Sequence, residues 1–335
     1  MDSVTQAALG AAVGGLVADR QIGRKAMLVG AVVGTLPDLD VLVPFSGAVE
    51  SFTYHRSFSH SIAVLTVVSP LIGWLLYRFF DTKLSFRRSW FLAWLVLITH
   101  TLLDSLTVYG TQLFWPFSDY PVSGSSVFII DPLYTLILLF GLAALLWQRP
   151  LARRINSICV ILSCAYLCWS VVAKLHIERS VEASLAEQGI EYNKLLTTPM
   201  PFNTLGWRFV AMQDSGYLQG FASVLDPAKH VYRFSRYESD VALLDGIESH
   251  WPVAQLRRFT HGFYKVQQVN EDIQMVDLRM GIEGTYIFTF VVGKVTAQGN
   301  VAVPNREAET VRDFSSLSLL FKRIFDPDVE ITWPG

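Results

Sequence analysis

Before about residue 175 the apolar residues of the chain are gathered into long runs separated by short charged turns. Beyond it they form short runs punctuated by Gly, Asp and Asn. Four of the long runs, Ser61 to Phe80, Ser89 to Val108, Pro132 to Gln148 and Ile155 to Ala173, approach the roughly 17 to 25 residues that a helix needs to cross hydrocarbon. Two shorter stretches precede them. Val4 to Ala18 and Ala26 to Leu36 are rich in Ala, Gly and Val and are divided by Asp19-Arg-Gln-Ile-Gly-Arg-Lys25, which predicts a helical hairpin. In it, Gly10/Gly14 and Gly30/Gly34 have the small-xxx-small spacing that lets helix backbones approach closely. No basic region precedes the first run and Asp2 stands there instead, so a cleaved signal peptide is not expected.

The remainder has a different grain. His176 to Leu196 predicts an amphipathic helix continuing from the last apolar run, with Glu178, Glu182, Glu187 and Glu191 on its polar side and Pro199 and Pro201 ending it. Trp207 to Met212, Tyr217 to Val224, Phe263 to Val266, Met275 to Leu278 and Thr285 to Val292 are β-branched and aromatic runs that predict an antiparallel sheet. Ser239 to Ile247 and Val253 to Phe259 suit short helices. The fold class is therefore a membrane all-α N-terminal bundle of about six transmembrane helices followed by a soluble α+β domain. Its parts are 1–175 for the helical domain, 176–198 for the linker helix and 199–335 for the α+β domain. No internal repeat is visible.

Composition supports a membrane chain, with 51% hydrophobic and 17% charged residues. Lys and Arg collect in three connections: Arg20, Arg24 and Lys25; Arg78, Lys83, Arg87 and Arg88; and Arg149, Arg153 and Arg154. The alternate connections are nearly free of them, Arg56 being alone between residues 36 and 60. By the positive-inside rule the basic connections are cytoplasmic, which places the Pro37 to His60 and Ser105 to Asp131 connections and everything after Ala173 outside the cytoplasm. The expected location is a bacterial cytoplasmic (inner) membrane.

Ionisable groups at membrane depth are costly and mark function. Asp38 and Asp40 in Thr35-Leu-Pro-Asp-Leu-Asp40, His55 and His60 in His55-Arg-Ser-Phe-Ser-His-Ser61, and His100 and Asp104 in His100-Thr-Leu-Leu-Asp104 all fall on the outward side of this topology. His100 and Asp104 are four apart on one helix face, where they can bind together or act as ligand and orienting partner. Asp38 and Asp40 point the same way if their segment is extended. Mixed imidazole and carboxylate donors favour zinc or manganese over magnesium or calcium. Asp131 is a weaker metal candidate, and Gln6 is an interhelical hydrogen bonder or an outer partner of the site. Arg56 and Asp40 are the candidate catalytic groups, Arg56 for an anion and Asp40 as a carboxylate base. Cys159, Cys164 and Cys168 suit packing, and His230, His250 and His261 lack ligand spacing. There is no phosphate loop, nucleophile elbow or basic nucleic-acid patch.

These motifs resemble the YdjM-like family of membrane-bound, in part LexA-regulated, metal-dependent hydrolases. The resemblance rests on Met1-Asp-Ser-Val-Thr-Gln-Ala7, Leu36-Pro-Asp-Leu-Asp40, His55 to Ser61, His100 to Asp104, Tyr109 to Pro116 and Ile129 to Tyr134. It covers about the first 150 residues. Gln6 stands where many members have His, and Ser57 where they have Gly. The resemblance implies a membrane-integral hydrolase with one or two divalent metals. The Phe114-Trp-Pro-Phe117 run at the membrane edge adds the expectation of a membrane lipid or lipid-linked ester or phosphoester as substrate. The rival expectation is a non-enzymatic membrane protein whose His/Asp cluster binds metal or protons and whose external domain docks a protein partner.

Overall fold

The computed structural model describes residues 1–80, 83–147, 151–309 and 317–331. Its helices are α1 (Ser3–Ile22), α2 (Lys25–Thr35), α3 (Ala48–Tyr54), α4 (Ile62–Phe80), α5 (Phe86–Ser105), α6 (Pro132–Leu146), α7 (Ala152–Glu187), α8 (Trp251–Phe259) and α9 (Leu317–Phe325). The strands are β1 (Lys194–Pro199), β2 (Gly206–Gln213), β3 (Gly216–Ser223), β4 (Phe234–Glu238), β5 (Tyr264–Val269), β6 (Asp272–Asp277), β7 (Thr289–Thr296) and β8 (Gly299–Glu307). The chain divides into two units: 1–43 with 55–171 and 201–203, and 44–54 with 172–200 and 204–335.

Helix starts in the first unit follow capping chemistry. The Asp2 side chain accepts from the N–H groups of Val4 and Thr5 at the start of α1, Ser85 accepts from Arg88 at α5, and Asp131 accepts from Tyr134 at α6. Pro132 sits where a helix tolerates proline. Pro70 lies inside α4 and cannot donate to the Thr66 carbonyl, and the Ser69 hydroxyl supplies that bond instead, at 2.9 Å. The core of this unit joins Leu9, Ala12 and Val13 of α1 to Val33 of α2, Leu92 and Val96 of α5, and Leu138 of α6. By length and composition α4 and α7 can cross a membrane, whereas α2 and α6 are apolar but shorter. Among the described residues two helices thus meet that criterion, against the six expected. Helices α1 and α5 have 20 residues each, but small residues dilute the first and Arg87, Arg88, His100 and Asp104 the second. Gln148 and Arg149, assigned to the end of an apolar run and to a basic turn, lie outside the described residues.

The α1–α2 hairpin is packed backbone against backbone. A Cβ on Gly10 would overlap the carbonyl oxygen of Gly30, and one on Gly30 would overlap that of Gly10; Gly14 faces the Ala26 carbonyl in the same way. The small-residue spacing therefore sets the distance between these helices.

The second unit holds two four-stranded antiparallel sheets, each a meander in chain order, β1-β2-β3-β4 and β5-β6-β7-β8. Ile177, Val181 and Leu185 recur every four residues on α7 and pack on Trp207, Phe209 and Ala211, which alternate along β2. From the other face of that sheet Leu196, Val210 and Tyr217 meet Val276, Leu278 and Tyr286. Strands β2 and β3 are consequently buried on both faces. Arg208 crosses this interior with its charge spread over Gln219 Oε1 at 3.0 Å and the carbonyls of Leu278 and Gly281. Burial and the neighbouring phenol and carboxylate of Tyr286 and Glu283 push the Tyr217 hydroxyl far above its ordinary pKa, so it remains a neutral donor to Glu283.

Several elements depart from expectation. The linker helix ends at Glu187 rather than Leu196, because Gly189 turns the chain at φ +67° and Lys194–Pro199 pairs with β2 as β1. The predicted helix at Ser239 to Ile247 is reduced to a 3₁₀ turn at Val241–Leu244. Strands β4 and β8 were not anticipated: β4 is mostly polar, and β8 carries Pro304 and few apolar residues. Replacing Gly30 by Ala is expected to force α1 and α2 apart and destabilise the first unit by about 1–3 kcal/mol. Thermal unfolding in detergent should show a lowered midpoint, and an unchanged one would contradict the close backbone approach.

Candidate metal centre

Pro37 converts the end of α2 into a 3₁₀ turn, Pro37–Leu42. At about three residues per turn, residues two apart point roughly 240° apart. Asp38 and Asp40 therefore diverge, where an extended segment would have aligned them. Asp38 turns toward α5 and Asp40 toward His55 and Ser59. His60 ends a second 3₁₀ turn, Phe58–His60, and its carbonyl accepts from the Thr101 hydroxyl of α5. His100 and Asp104 face the same way one turn apart on α5.

Four side chains converge. Nε2 of His60 lies 3.1 Å from Nε2 of His100, 3.2 Å from Asp104 Oδ2 and 3.4 Å from Asp38 Oδ1. Nε2 of His100 lies 3.5 Å from Asp38 Oδ1 and 3.6 Å from Asp104 Oδ2. One donor atom from each of the four residues fits within 4.8 Å of all the others. Donors about 2.0–2.2 Å from a tetrahedral zinc would stand about 3.3–3.6 Å apart, so the spacing suits one cation. His60, His100 and Asp104 are buried, and Asp38 is partly exposed, with 21% of its side chain open.

The outer hydrogen bonds decide which ring nitrogens face the centre. His100 Nδ1 is 2.6 Å from the Gly34 carbonyl, which can only accept. His60 Nδ1 is 2.9 Å from Ser59 Oγ, whose own proton goes to Asp40 Oδ2 at 2.6 Å. In a neutral ring each Nδ1 therefore keeps the proton, which turns both Nε2 lone pairs toward one spot. Asp104 Oδ1 accepts from Gln6 Nε2 at 2.9 Å and from the Met1 α-amino group. Its Oδ2 is buried and accepts no hydrogen bond of ordinary geometry, although Arg56 Nε stands 3.3 Å away. Two lone pairs and a spare carboxylate oxygen directed at one point make a donor set that fits a divalent cation. Burial pushes the Asp40 carboxyl up, but the His55 imidazole, the Ser59 hydroxyl and the Arg56 N–H outweigh it and hold it below the usual carboxylate range.

Of the six residues named as ligands from sequence, the structure gathers Asp38, His60, His100 and Asp104. Asp40 lies outside this set, its oxygens taken by His55 Nδ1 at 2.8 Å and by Ser59 Oγ and the Arg56 N–H. His55 is half-buried beside it and faces Tyr109. Arg56 is buried at φ +62°, a left-handed conformation that costs a non-glycine residue about 1–2 kcal/mol. Its guanidinium lies 5.0 Å from the centre of the Tyr109 ring and donates to Thr107 Oγ1 at 3.3 Å. Asp131 is a helix cap that also accepts from the Tyr166 hydroxyl. Ser59, Thr101 and the Gly34 carbonyl were not picked out as parts of the site. Ser59 could have been, since it adjoins a candidate His, whereas a backbone acceptor leaves no mark in sequence.

A helical part in which α4 and α7 are long and apolar enough to cross a membrane, with a buried His/Asp cluster, followed by a two-sheet antiparallel β domain, defines the class of this protein. The family model described as YdjM inner membrane protein matches residues 1–177. The chain belongs to that family. It is 26% identical over 312 residues to the protein YfhP of Bacillus subtilis (strain 168), covering 87% of this chain and 90% of that one. It is 33% identical over 119 residues to the inner membrane protein YbcI of Escherichia coli (strain K12), covering 35% of this chain and 68% of that one. No solved structure matches.

Purified chain is expected to carry a divalent metal by elemental analysis, and His60→Ala, His100→Ala and Asp104→Ala are each expected to lose most of it while still inserting. Asp40→Asn, which keeps the four ligands and disturbs the hydrogen bonds from Ser59, His55 and the Arg56 N–H behind them, should weaken binding about 10- to 100-fold. Metal-free wild type, or full retention in all three ligand variants, would reject the assignment.

Proposed function

We propose that this chain is a membrane-integral, metal-dependent hydrolase with its centre on the extracytoplasmic side. Its preferred metal is zinc or manganese, since both suit mixed imidazole and carboxylate donors. The observation that carries the reading is the convergence of His60 Nε2 and His100 Nε2, 3.1 Å apart, beside the carboxylates of Asp38 and Asp104. Asp38, His60, His100 and Asp104 would hold a divalent cation, which would supply Lewis-acid polarisation and activation of water.

The chain's own groups divide the remaining work. Asp38 is the ligand with solvent exposure, so water and substrate approach on its side. Arg56 brings positive charge beside Asp104 and supports an anionic group or developing negative charge there. Asp40 orients His60 through Ser59. This role replaces general base catalysis in the reading, because both of its oxygens are already engaged.

The proposed substrate is a lipid or lipid-linked ester or phosphoester. Leu39, Val41 and Leu42 are exposed on the turn that carries Asp38, and Phe58 is exposed two residues before His60. Phe58 meets Trp115, and Phe114 and Phe117 are exposed beside it in sequence. An apolar rim around a polar centre suits an amphiphile whose head reaches the metal while its tail stays in lipid. The proposed arrangement is multi-pass in the bacterial inner membrane, with the C-terminal domain outside the cytoplasm.

Turnover of matched short-chain and long-chain esters and phosphoesters in detergent micelles tests the substrate class. The long-chain members should be hydrolysed faster, and equal or faster turnover of the short soluble ones would rule out a lipid requirement. Topology has its own measurement. Cysteines placed at Asp119 and Ser215 should react with an impermeant thiol reagent in intact cells and one at Lys83 should not, whereas the reverse pattern would put the centre in the cytoplasm.

A further inference from the structure

Away from the metal centre the first unit carries a second concentration of charge, at the end of the bundle where α4 leads into α5. Four basic residues, Arg78, Lys83, Arg87 and Arg88, stand there in sequence against Asp81 alone. Helix packing brings them together. A Cβ on Gly73 would overlap the backbone of Trp90, and Trp90 Nε1 donates to Ser69 Oγ at 3.0 Å, so α4 and α5 run in close contact toward their joined ends. There the rings of Tyr77 and Phe86 meet edge to face with centres 6.5 Å apart. Arg78 follows one in the chain and Arg87 the other.

All four basic residues are exposed, and among the described residues their side chains meet no carboxylate. The other two basic turns of the same unit differ. Arg24 donates to the Leu146 carbonyl at 2.5 Å, and Arg153 Nε lies 2.9 Å from Asp19 Oδ2, so each of those turns engages an arginine within the protein. The α4–α5 end leaves its charge to something outside. That charge also opposes the local backbone: the first turn of α5 holds Arg87 and Arg88 and no acidic residue, where the helix dipole is positive and favours anions. Negative charge seated among these groups relieves both repulsions.

The surroundings indicate the kind of anion. Tyr77, Phe79 and Phe86 are exposed beside the basic residues, and Trp74 and Trp90 are exposed about one turn deeper along the helices. Aromatic rings next to unpaired Lys and Arg suit the boundary of a bilayer, where the rings sit at headgroup level and the cations reach lipid phosphates. A soluble acidic partner has no use for such an apolar collar.

We propose that the α4–α5 end is a binding site for an anionic glycerophospholipid: Arg78, Lys83, Arg87 and Arg88 take the phosphate headgroup, and Tyr77, Phe79 and Phe86 take the glycerol and the upper acyl chain. In the proposed topology this lipid belongs to the cytoplasmic leaflet. The site lies wholly within the first unit and shares no residue with the metal centre.

Native mass spectrometry of the full chain in detergent, titrated with phosphatidylglycerol or with phosphatidylcholine of the same acyl chains, tests it. Wild type is expected to bind phosphatidylglycerol at least about tenfold more tightly, since each Lys or Arg near an anionic lipid surface is worth about fivefold. The combined variant Arg78→Gln, Arg87→Gln, Arg88→Gln should bind the two lipids almost equally, and its phosphatidylcholine binding reports that the fold is intact. Arg87→Lys with Arg88→Lys keeps the charge and should retain most of the preference. Arg20→Gln, Lys25→Gln, Arg154→Gln removes as much charge from the other turns and should leave the preference unchanged. Absence of a preference in wild type would overturn the proposal and give the patch to an acidic protein instead. Retention of the preference in the α4–α5 variant, or an equal loss in the variant of the other turns, would overturn it by tracing the effect to net charge. Displacement of the bound lipid by excess inorganic phosphate would overturn it by showing a site for a free anion.

Discussion

Two imidazole nitrogens, Nε2 of His60 and Nε2 of His100, stand 3.1 Å apart beside two carboxylates in a buried site. Isolated buried charge is expensive, and like groups at that distance repel unless something positive lies among them. The fold meets part of this demand with Arg56 and the Met1 amino group at Asp104. Both of these neighbours are donors that face a carboxylate, so they give nothing to the two Nε2 atoms, which have each other at 3.1 Å. A divalent cation would complete the balance, and Asp38, His60, His100 and Asp104 are placed where they could hold one.

Holding the donors there requires close helix packing. His100 bonds to the Gly34 carbonyl, so α2 must come within hydrogen-bond reach of α5. The position of α2 depends in turn on the glycine contacts with α1, which also carries Gln6 to Asp104. Backbone proximity thus has a chemical use: it brings a carbonyl, which cannot donate, to the nitrogen that must keep its proton. The same logic applies at His60, where Thr101 holds the backbone and Ser59 passes the tautomer constraint on to Asp40.

The second unit shows how much polar structure a chain without disulfides can bury. Arg208, Arg279 and Arg323 are all buried, with partners at Gln219, Asp277 and Asp226 respectively. Such groups contribute orientation more than net stability, since desolvation offsets much of their attraction. Apolar contact from α7 and from the facing sheet supplies the stabilising burial around them.

Sequence alone determined the apolar helical part, the change of character near residue 175, the antiparallel strands built on Trp207 to Met212 and Tyr217 to Val224, and the motifs that contain the centre. Those features are local: helix period, strand alternation, and ionisable residues in apolar runs are written in neighbouring positions. Tertiary structure decided which motif members meet. A 3₁₀ turn separates Asp38 from Asp40 by direction although only one residue lies between them. The partners that set the tautomers include a backbone carbonyl 66 positions away from His100 in the chain. The membership of α3 in the second unit was equally hidden, because Phe52 looks like any aromatic residue in a connection until Phe259, Phe288 and Phe290 fold around it. Long-range packing chose these contacts, and a side chain's type does not record which distant surface it will fill.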